Sequence, residues 1–255
     1  MYVLRYLRPL LKIECINSDI LEYMNLYHKI KYWIIDYKYM IQGAFYSLVY
    51  RNPPKHYLEH IIHNKIPVVL IPGILEKWSA MKNMADSISL AGHPVYIVQN
   101  LKYNIYSIPK SVEYIQKILD KHDIKKFVFV AHSKGGLIGK YFLAHCNKNN
   151  HVLGMVAIAS PFSGSAMTKL IPHDSFKELS VDSKIIHGLH DHPEINRSIV
   201  SIIPEYDNHV WSEKGSHLDG AKNIYVPVHG HHKIVYDKKV IEKTIQELER
   251  LSNQI

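Results

Sequence analysis

The chain has 255 residues, 47% of them apolar and 21% charged, an ordinary globular balance for a single α/β domain. Lys plus Arg is 31 and Asp plus Glu is 23, a formal charge of +8, but the basic residues are scattered. Without a run of like charge, a zinc-finger spacing or an RNP-like aromatic motif, the charge reads as solvated surface and no nucleic-acid partner is expected.

The first nine residues lack the apolar core and cleavage site of a signal peptide. No run of eighteen uncharged apolar residues occurs, so a spanning helix is not expected. Two distant cysteines, Cys15 and Cys146, argue against a disulfide framework and point to a reducing, cytoplasmic setting. The eighteen histidines form no HExxH or His/Cys ligand spacing, and neither metal nor cofactor is expected.

Residues 1–60 read as a helical N-terminal extension. From Ile20 to Tyr50 apolar residues recur at mixed three and four spacings, interrupted by Lys31, Asp36 and Lys38, which predicts one or two amphipathic helices. Pro53-Pro54 stops them. The mixture around Trp33 of aromatic, aliphatic and cationic side chains suits either peripheral contact with a membrane interface or packing on the protein's own core. Packing is the reading preferred.

Residues 61–255 have a different texture. Pro67–Ile71 is a buried strand, Ser79–Ala91 a helix ended by Gly92, Val95–Val98 a strand and Ser111–His122 a helix. Lys126–Ala131 is a strand, Lys134–Cys146 a helix, and Val152–Ala159 a strand. Two more strands follow at Ser198–Ile203 and Asn223–Val228, and Asp237–Leu251 closes the chain as a helix. Alternation of this kind predicts a mostly parallel sheet with helices on both faces. Continuous apolar runs such as Phe127-Val-Phe-Val fit strands buried on both sides. Pro161–Arg197 is the only room for a cap, with short helices at Asp174–Leu179 and Asp182–Ile186, so no large lid is expected.

The central motif is Ala131-His132-Ser133-Lys134-Gly135-Gly136, set between strand and helix. A serine at such a turn is strained and presents its hydroxyl above the sheet edge, with the helix N-terminus facing any charge that develops. Acyl transfer also needs two N–H donors for the oxyanion. Lys134 supplies one, and Pro72-Gly73-Ile74 after the first strand supplies the other, through Ile74. The nucleophile requires a base and a carboxylate to orient it, in chain order Ser, acid, His. Asp207 follows the strand at Ser198–Ile203 and is chosen over Glu205 and Asp219. His231 follows Gly230 and is chosen over His229 and His232.

Together with Pro161-Phe-Ser-Gly164-Ser, Asp207-Asn-His-Val, Leu218-Asp-Gly-Ala-Lys-Asn223 and Gly230-His231-His-Lys-Ile, this motif resembles α/β-hydrolase lipases and esterases. The likeness is to the small lidless Bacillus lipases and, more closely, to actinobacterial lipase-like hydrolases, over residues 66 to 251. It implies the α/β-hydrolase fold and cleavage of a small ester or lipid by Ser133, Asp207 and His231. Pro72 replaces the histidine often found before the oxyanion-loop glycine. An acyltransferase or thioesterase with the same residues, and a non-catalytic binding protein on the same fold, are the rival expectations.

Overall fold

The computed structural model describes residues 8–147, 151–171, 173–212 and 214–253, with side chains in the first helix described from Leu26 onward. That helix, α1, is a single element of 42 residues, Arg8–Val49, about 63 Å long at 1.5 Å per residue. No helix among the described residues is long and apolar enough to cross a membrane. A short α2, His56–Glu59, follows the proline pair.

The alternating region then runs β1 (Val68–Ile71), α3 (Lys82–Leu90), β2 (Val95–Ile97), α4 (Ile108–His122), β3 (Phe127–His132), α5 (Lys134–His145) and β4 (Val152–Ile158). Two short helices, α6 (Asp174–Lys177) and α7 (Lys184–His190), precede β5 (Ile199–Tyr206), β6 (Lys222–His229) and α8 (Lys238–Ser252). The six strands form one parallel sheet in the order β2-β1-β3-β4-β5-β6.

Alternate side chains of each central strand point to opposite faces and build two cores. Val68, Leu70, Val128 and Val130 pack with Met84 and Ile88 of α3 and with Val240 and Leu248 of α8. Val69, Ile71, Phe127 and Phe129 pack with Ile115 and Leu119 of α4 and with Leu137 and Ile138 of α5. The central strands are buried along their whole length, as their unbroken apolar sequence requires.

Several boundaries differ from the sequence expectation for local reasons. Helix α4 begins at Ile108 rather than Ser111, because the Ser107 hydroxyl caps the Lys110 N–H and Pro109 occupies the first turn, where its missing N–H is not needed. The segment expected as a helix from Ser79 opens with a 3₁₀ turn, Trp78–Met81, before α3. Strand β5 continues through Pro204 to Tyr206, where its register against β6 shifts.

Helix α1 packs against the carboxyl edge of the sheet. Asp36 and Ser47 on its inner face are buried, the Trp33 indole donates to the Tyr206 hydroxyl at 2.8 Å, and Tyr32 stacks on His229. Its outer face exposes Ile30, Ile34, Ile41, Phe45 and Leu48.

Candidate active site

Parallel register brings the strand ends to one edge. Ile71 lies beside Ala131, His132 beside Ile158, and Tyr206 beside His229. The loops that follow β1, β3, β5 and β6 are therefore neighbours, and this is the edge at which parallel α/β sheets form clefts.

Ser133 sits between β3 and α5 with φ 51° and ψ −121°, a conformation that L-residues rarely hold. Its N–H donates to the Ile158 carbonyl at 2.9 Å, which anchors the turn to β4. The turn is tight enough that a Cβ on Gly135 would lie 2.4 Å from the Ile71 carbonyl oxygen, and one on Gly136 would lie 2.1 Å from Ser160 Oγ. The side chain of Lys134 runs inward and donates to the carbonyls of Asn104 and Tyr106, binding the turn to the segment before α4. Burial pushes its ammonium down to about 8, against the opposing charge of Glu178.

His231 meets Ser133 from the other side. The distance from His231 Nε2 to Ser133 Oγ is 2.8 Å, and His231 Nδ1 lies 2.8 Å from Asp207 Oδ2. Asp207 Oδ1 also accepts from the N–H groups of His209 and Val210 at 2.8 and 2.9 Å. Burial alone would raise the Asp207 carboxyl, but the neighbouring His231 and these hydrogen bonds outweigh it and hold the group below the usual carboxylate range. The carboxylate thus fixes Nδ1 as the protonated nitrogen and leaves Nε2 free to accept from the serine hydroxyl.

The other candidates are held elsewhere. His229 stacks on Tyr32, and its Nε2 faces Glu205 at 3.6 Å. Asp219 pairs with Lys214 and His217. His232 turns toward Asp36 at 3.0 Å. In the loop after β1 the Gly73 N–H is engaged by Glu76 at 2.8 Å, while Ile74, next along, lines the cavity beside Ser133.

A second layer surrounds this group, and sequence reasoning did not assign it. Glu76 accepts from His132 Nδ1 at 2.9 Å, and His132 Nε2 donates to the His231 carbonyl at 2.9 Å. Both ring nitrogens of His132 therefore donate, as an imidazolium does. Burial opposes that charge, but Glu76 and the carbonyl raise the His132 pKa above its ordinary value. Glu76 is brought down to about 2, its burial outweighed by His132. His209 stacks on His231 with ring centroids 5.1 Å apart, and burial and the adjacent His231 hold it down to about 3. The adjacency of His132 to Ser133, and of Glu76 to the Gly73 turn, was the available sequence signal.

Asp36, His209 and His232 place potential ligand atoms within 4.8 Å of one another. Asp36 already accepts three hydrogen bonds, from the N–H groups of His232 and Lys233 and from His232 Nδ1. These bonds account for Asp36 and for His232 Nδ1, whereas His209 Nε2 is buried without a hydrogen-bond partner among the described residues.

Ser133 and His231 lie in a predominantly apolar cavity of about 460 Å³. Met167, Ile171 and Phe176 line it from the segment between β4 and β5, within the expected cap region. Helix α1 lines it as well, through Tyr39, Met40, Gly43, Ala44 and Leu48. The cap region is thus not the sole covering element, as the sequence had suggested; an N-terminal helix packed on the strand ends and the loop after β1 contribute too.

A family model for the alpha/beta hydrolase fold matches residues 66–190, and this match, the parallel sheet and the strand–serine–helix turn agree. The chain has the α/β-hydrolase fold. Among solved structures it is similar to Aspergillus fumigatus lipase B, with 17% identity and a TM-score of 0.65 over 77% of this chain and 55% of that one. It is also similar to the mature Bacillus licheniformis lipase BlEst2, with 16% identity and a TM-score of 0.55 over 77% and 96% of the two chains. A third similarity is to a carboxylesterase structure from the thaumarchaeon Nitrososphaera gargenis, with 13% identity and a TM-score of 0.55 over 77% and 94%. The chain thus spans little more than half of the Aspergillus lipase. At these identities the likeness is one of fold. Comparison with curated proteins gives no match.

Proposed function

We propose that the protein is a serine hydrolase that cleaves carboxylic esters with an apolar acyl or alcohol part. The observation that carries this reading is the unbroken chain Asp207–His231–Ser133, with contacts of 2.8 Å at both joints, opening into an apolar cavity. The fold match over residues 66–190 supports hydrolase activity at the coarser level.

In the reaction, Ser133 Oγ attacks the ester carbonyl as its proton passes to His231 Nε2. Asp207 stabilises the imidazolium that results. The N–H groups of Ile74 and Lys134 hold the oxyanion; the engagement of the Gly73 N–H by Glu76 makes Ile74 the better donor of that loop. His231 then protonates the leaving alcohol. Water, deprotonated by His231, attacks the acyl-enzyme and releases the acid.

The exposed apolar face of α1 adjoins the cavity through Leu48, and Leu75 is exposed beside it. Peripheral contact of that face with a lipid surface accords with a lipid ester as substrate. Co-sedimentation of the full chain with anionic vesicles checks it, and a chain that stays in the supernatant at low salt refutes it.

Labelling with a fluorophosphonate, combined with a p-nitrophenyl ester panel from acetate to palmitate, tests the main reading. Wild type is expected to be labelled on Ser133 and to hydrolyse part of the panel, and a folded Ser133→Ala variant to do neither. An adduct on Ser163 or Ser165, or no labelling, overturns it. Competing alcohols and thioesters in the same assay distinguish hydrolysis from acyl transfer and thioester cleavage.

A further inference from the structure

We infer that Asp36, on the N-terminal helix, is a positioning residue for His231: its carboxylate fixes the main chain that carries the base and sets the charge that the imidazole faces. The inference rests on the reading of His231 as the base.

Asp36 is fully buried, 196 residues from its partners in sequence. Its Oδ1 accepts from the N–H groups of His232 and Lys233 at 2.7 and 2.9 Å, and its Oδ2 faces His232 Nδ1 at 3.0 Å. These are the two peptide units that directly follow His231. On the N-terminal side of the same residue, the His231 N–H donates to Asn208 Oδ1 at 3.0 Å, and the His231 carbonyl, in the same peptide unit as the His232 N–H, accepts from His132. The main chain at His231 is therefore gripped from three elements, and α1 supplies the acceptor for both N–H groups that follow it.

The loop is shaped to admit that carboxylate. A Cβ on Gly230 would lie 2.5 Å from Asp36 Oδ1, and Gly230 has φ 130°, so any side chain there would both strain the turn and displace Asp36.

A fully buried charge is a poor device for stability, because desolvation offsets most of what its partners return. Its effect on a neighbouring imidazole is a better account. Burial would raise the Asp36 pKa, but His232, the Lys233 N–H and the charge of His231 outweigh it and hold the carboxyl far below its usual range. The Asp36–His231 attraction is mutual, so a charged Asp36 favours the imidazolium that forms as Ser133 gives up its proton. The other charged or titratable groups facing His231 are Asp207 and His209 from the loop after β5, His132 from the end of β3, and His232. Glu76 acts behind His132. Tyr37 is the neighbour of Asp36 on its own helix.

Asp36→Asn keeps the shape and an acceptor for the loop N–H groups while removing the charge; Asp36→Glu keeps the charge and shifts its position. With p-nitrophenyl butyrate, Asp36→Asn is expected to lower kcat on the order of tenfold, with KM within about threefold. The acid limb of its kcat/KM profile should move to lower pH, because the Asp36 charge no longer favours the protonated imidazole. Asp36→Glu should lower kcat and leave that limb in place. A folded Asp36→Asn enzyme with unchanged kcat and unchanged limb overturns the inference. So does the unfolding of both variants, which would make the contact purely structural. If wild type itself neither labels at Ser133 nor turns over ester, the function proposed for the site has failed, and the inference fails with it. Labelled, active wild type with indifferent variants isolates the failure to Asp36.

Discussion

The buried pair between Glu76 and His132 makes acid stability a sharp test of the architecture around the serine. Glu76 holds the Gly73 N–H and His132 Nδ1 at 2.8 and 2.9 Å, and its side chain is only 11% exposed, so solvent screens the pair little. A glutamate brought from 4.5 to about 2 on folding corresponds, at about 1.4 kcal/mol for each pH unit, to about 3 kcal/mol. Because the folded pKa is depressed, that contribution is complete above about pH 5 and is lost as pH falls toward 2. At pH 3 the unfolded chain is already protonated at this position and the folded one is not, so roughly 2 kcal/mol should be gone. Glu76→Gln removes the titration but keeps an acceptor for Gly73. Asp36 and Asp207 titrate in the same direction in both proteins, so comparing wild type with the variant cancels them to a first approximation. The assay is urea denaturation followed by tryptophan fluorescence at pH 7, 5, 4 and 3. Glu76→Gln is expected to be less stable than wild type by about 3 kcal/mol at pH 7 and by about 1 kcal/mol at pH 3. A gap that stays constant across this range, or that widens in acid, refutes the argument.

Asp207→Asn should leave the fold intact and reduce kcat on the order of 10⁴-fold, as loss of the correct imidazole tautomer does in serine proteases; His229→Ala, whose ring stacks on Tyr32, should stay within about twofold, and steady-state ester hydrolysis by the two variants compares them directly. Gly136→Ala drives a methyl toward Ser160 Oγ, 2.1 Å from the site of the new Cβ, and should cost about 1–3 kcal/mol by urea denaturation, with an unchanged midpoint counting against the tight turn. Ala44→Phe narrows the wall that α1 contributes to the cavity, so the ratio of kcat/KM for octanoate over butyrate esters should fall roughly tenfold, whereas an unchanged ratio would place the acyl chain elsewhere.

The serine turn was legible because its signals are local: an unbroken apolar strand, a small residue at Ala131, two glycines and a helical continuation lie within fifteen residues. The centre of the sheet was legible for the same reason, β1, β3 and β4 announcing their burial on both faces. Asp207 and His231 could be narrowed to two short loops by chain order and strand ends. The register that brings His231 rather than His232 to Ser133 depends on where Tyr206 meets His229 across β5 and β6. Asp36 carried a quieter signal. It is a lone acid between Ile35 and Tyr37, on the helix face shared with Trp33 and Gly43, and as sequence it reads only as an interruption of an apolar pattern. Its partners lie nearly two hundred residues onward, and no local rule connects them. The 3₁₀ segments at Pro193–Ser198 and Lys233–Tyr236 escaped because runs of four to six residues carry no periodicity to detect.

The span between Asp36 and the loop it binds also sets an order of events during synthesis. Helix α1 leaves the ribosome early, with apolar side chains on both its inner and outer faces, while the main-chain groups that satisfy Asp36 are still 196 residues from being made. At ordinary elongation rates that interval is on the order of 10–40 s. Throughout it the nascent helix has neither its wall of strand ends nor its hydrogen-bond donors, and the parallel sheet that must form meanwhile is itself assembled from non-local pairings. Closure of the cavity and engagement of Asp36 therefore belong to the last stage of folding, and a chain-binding chaperone has its longest opportunity on this helix.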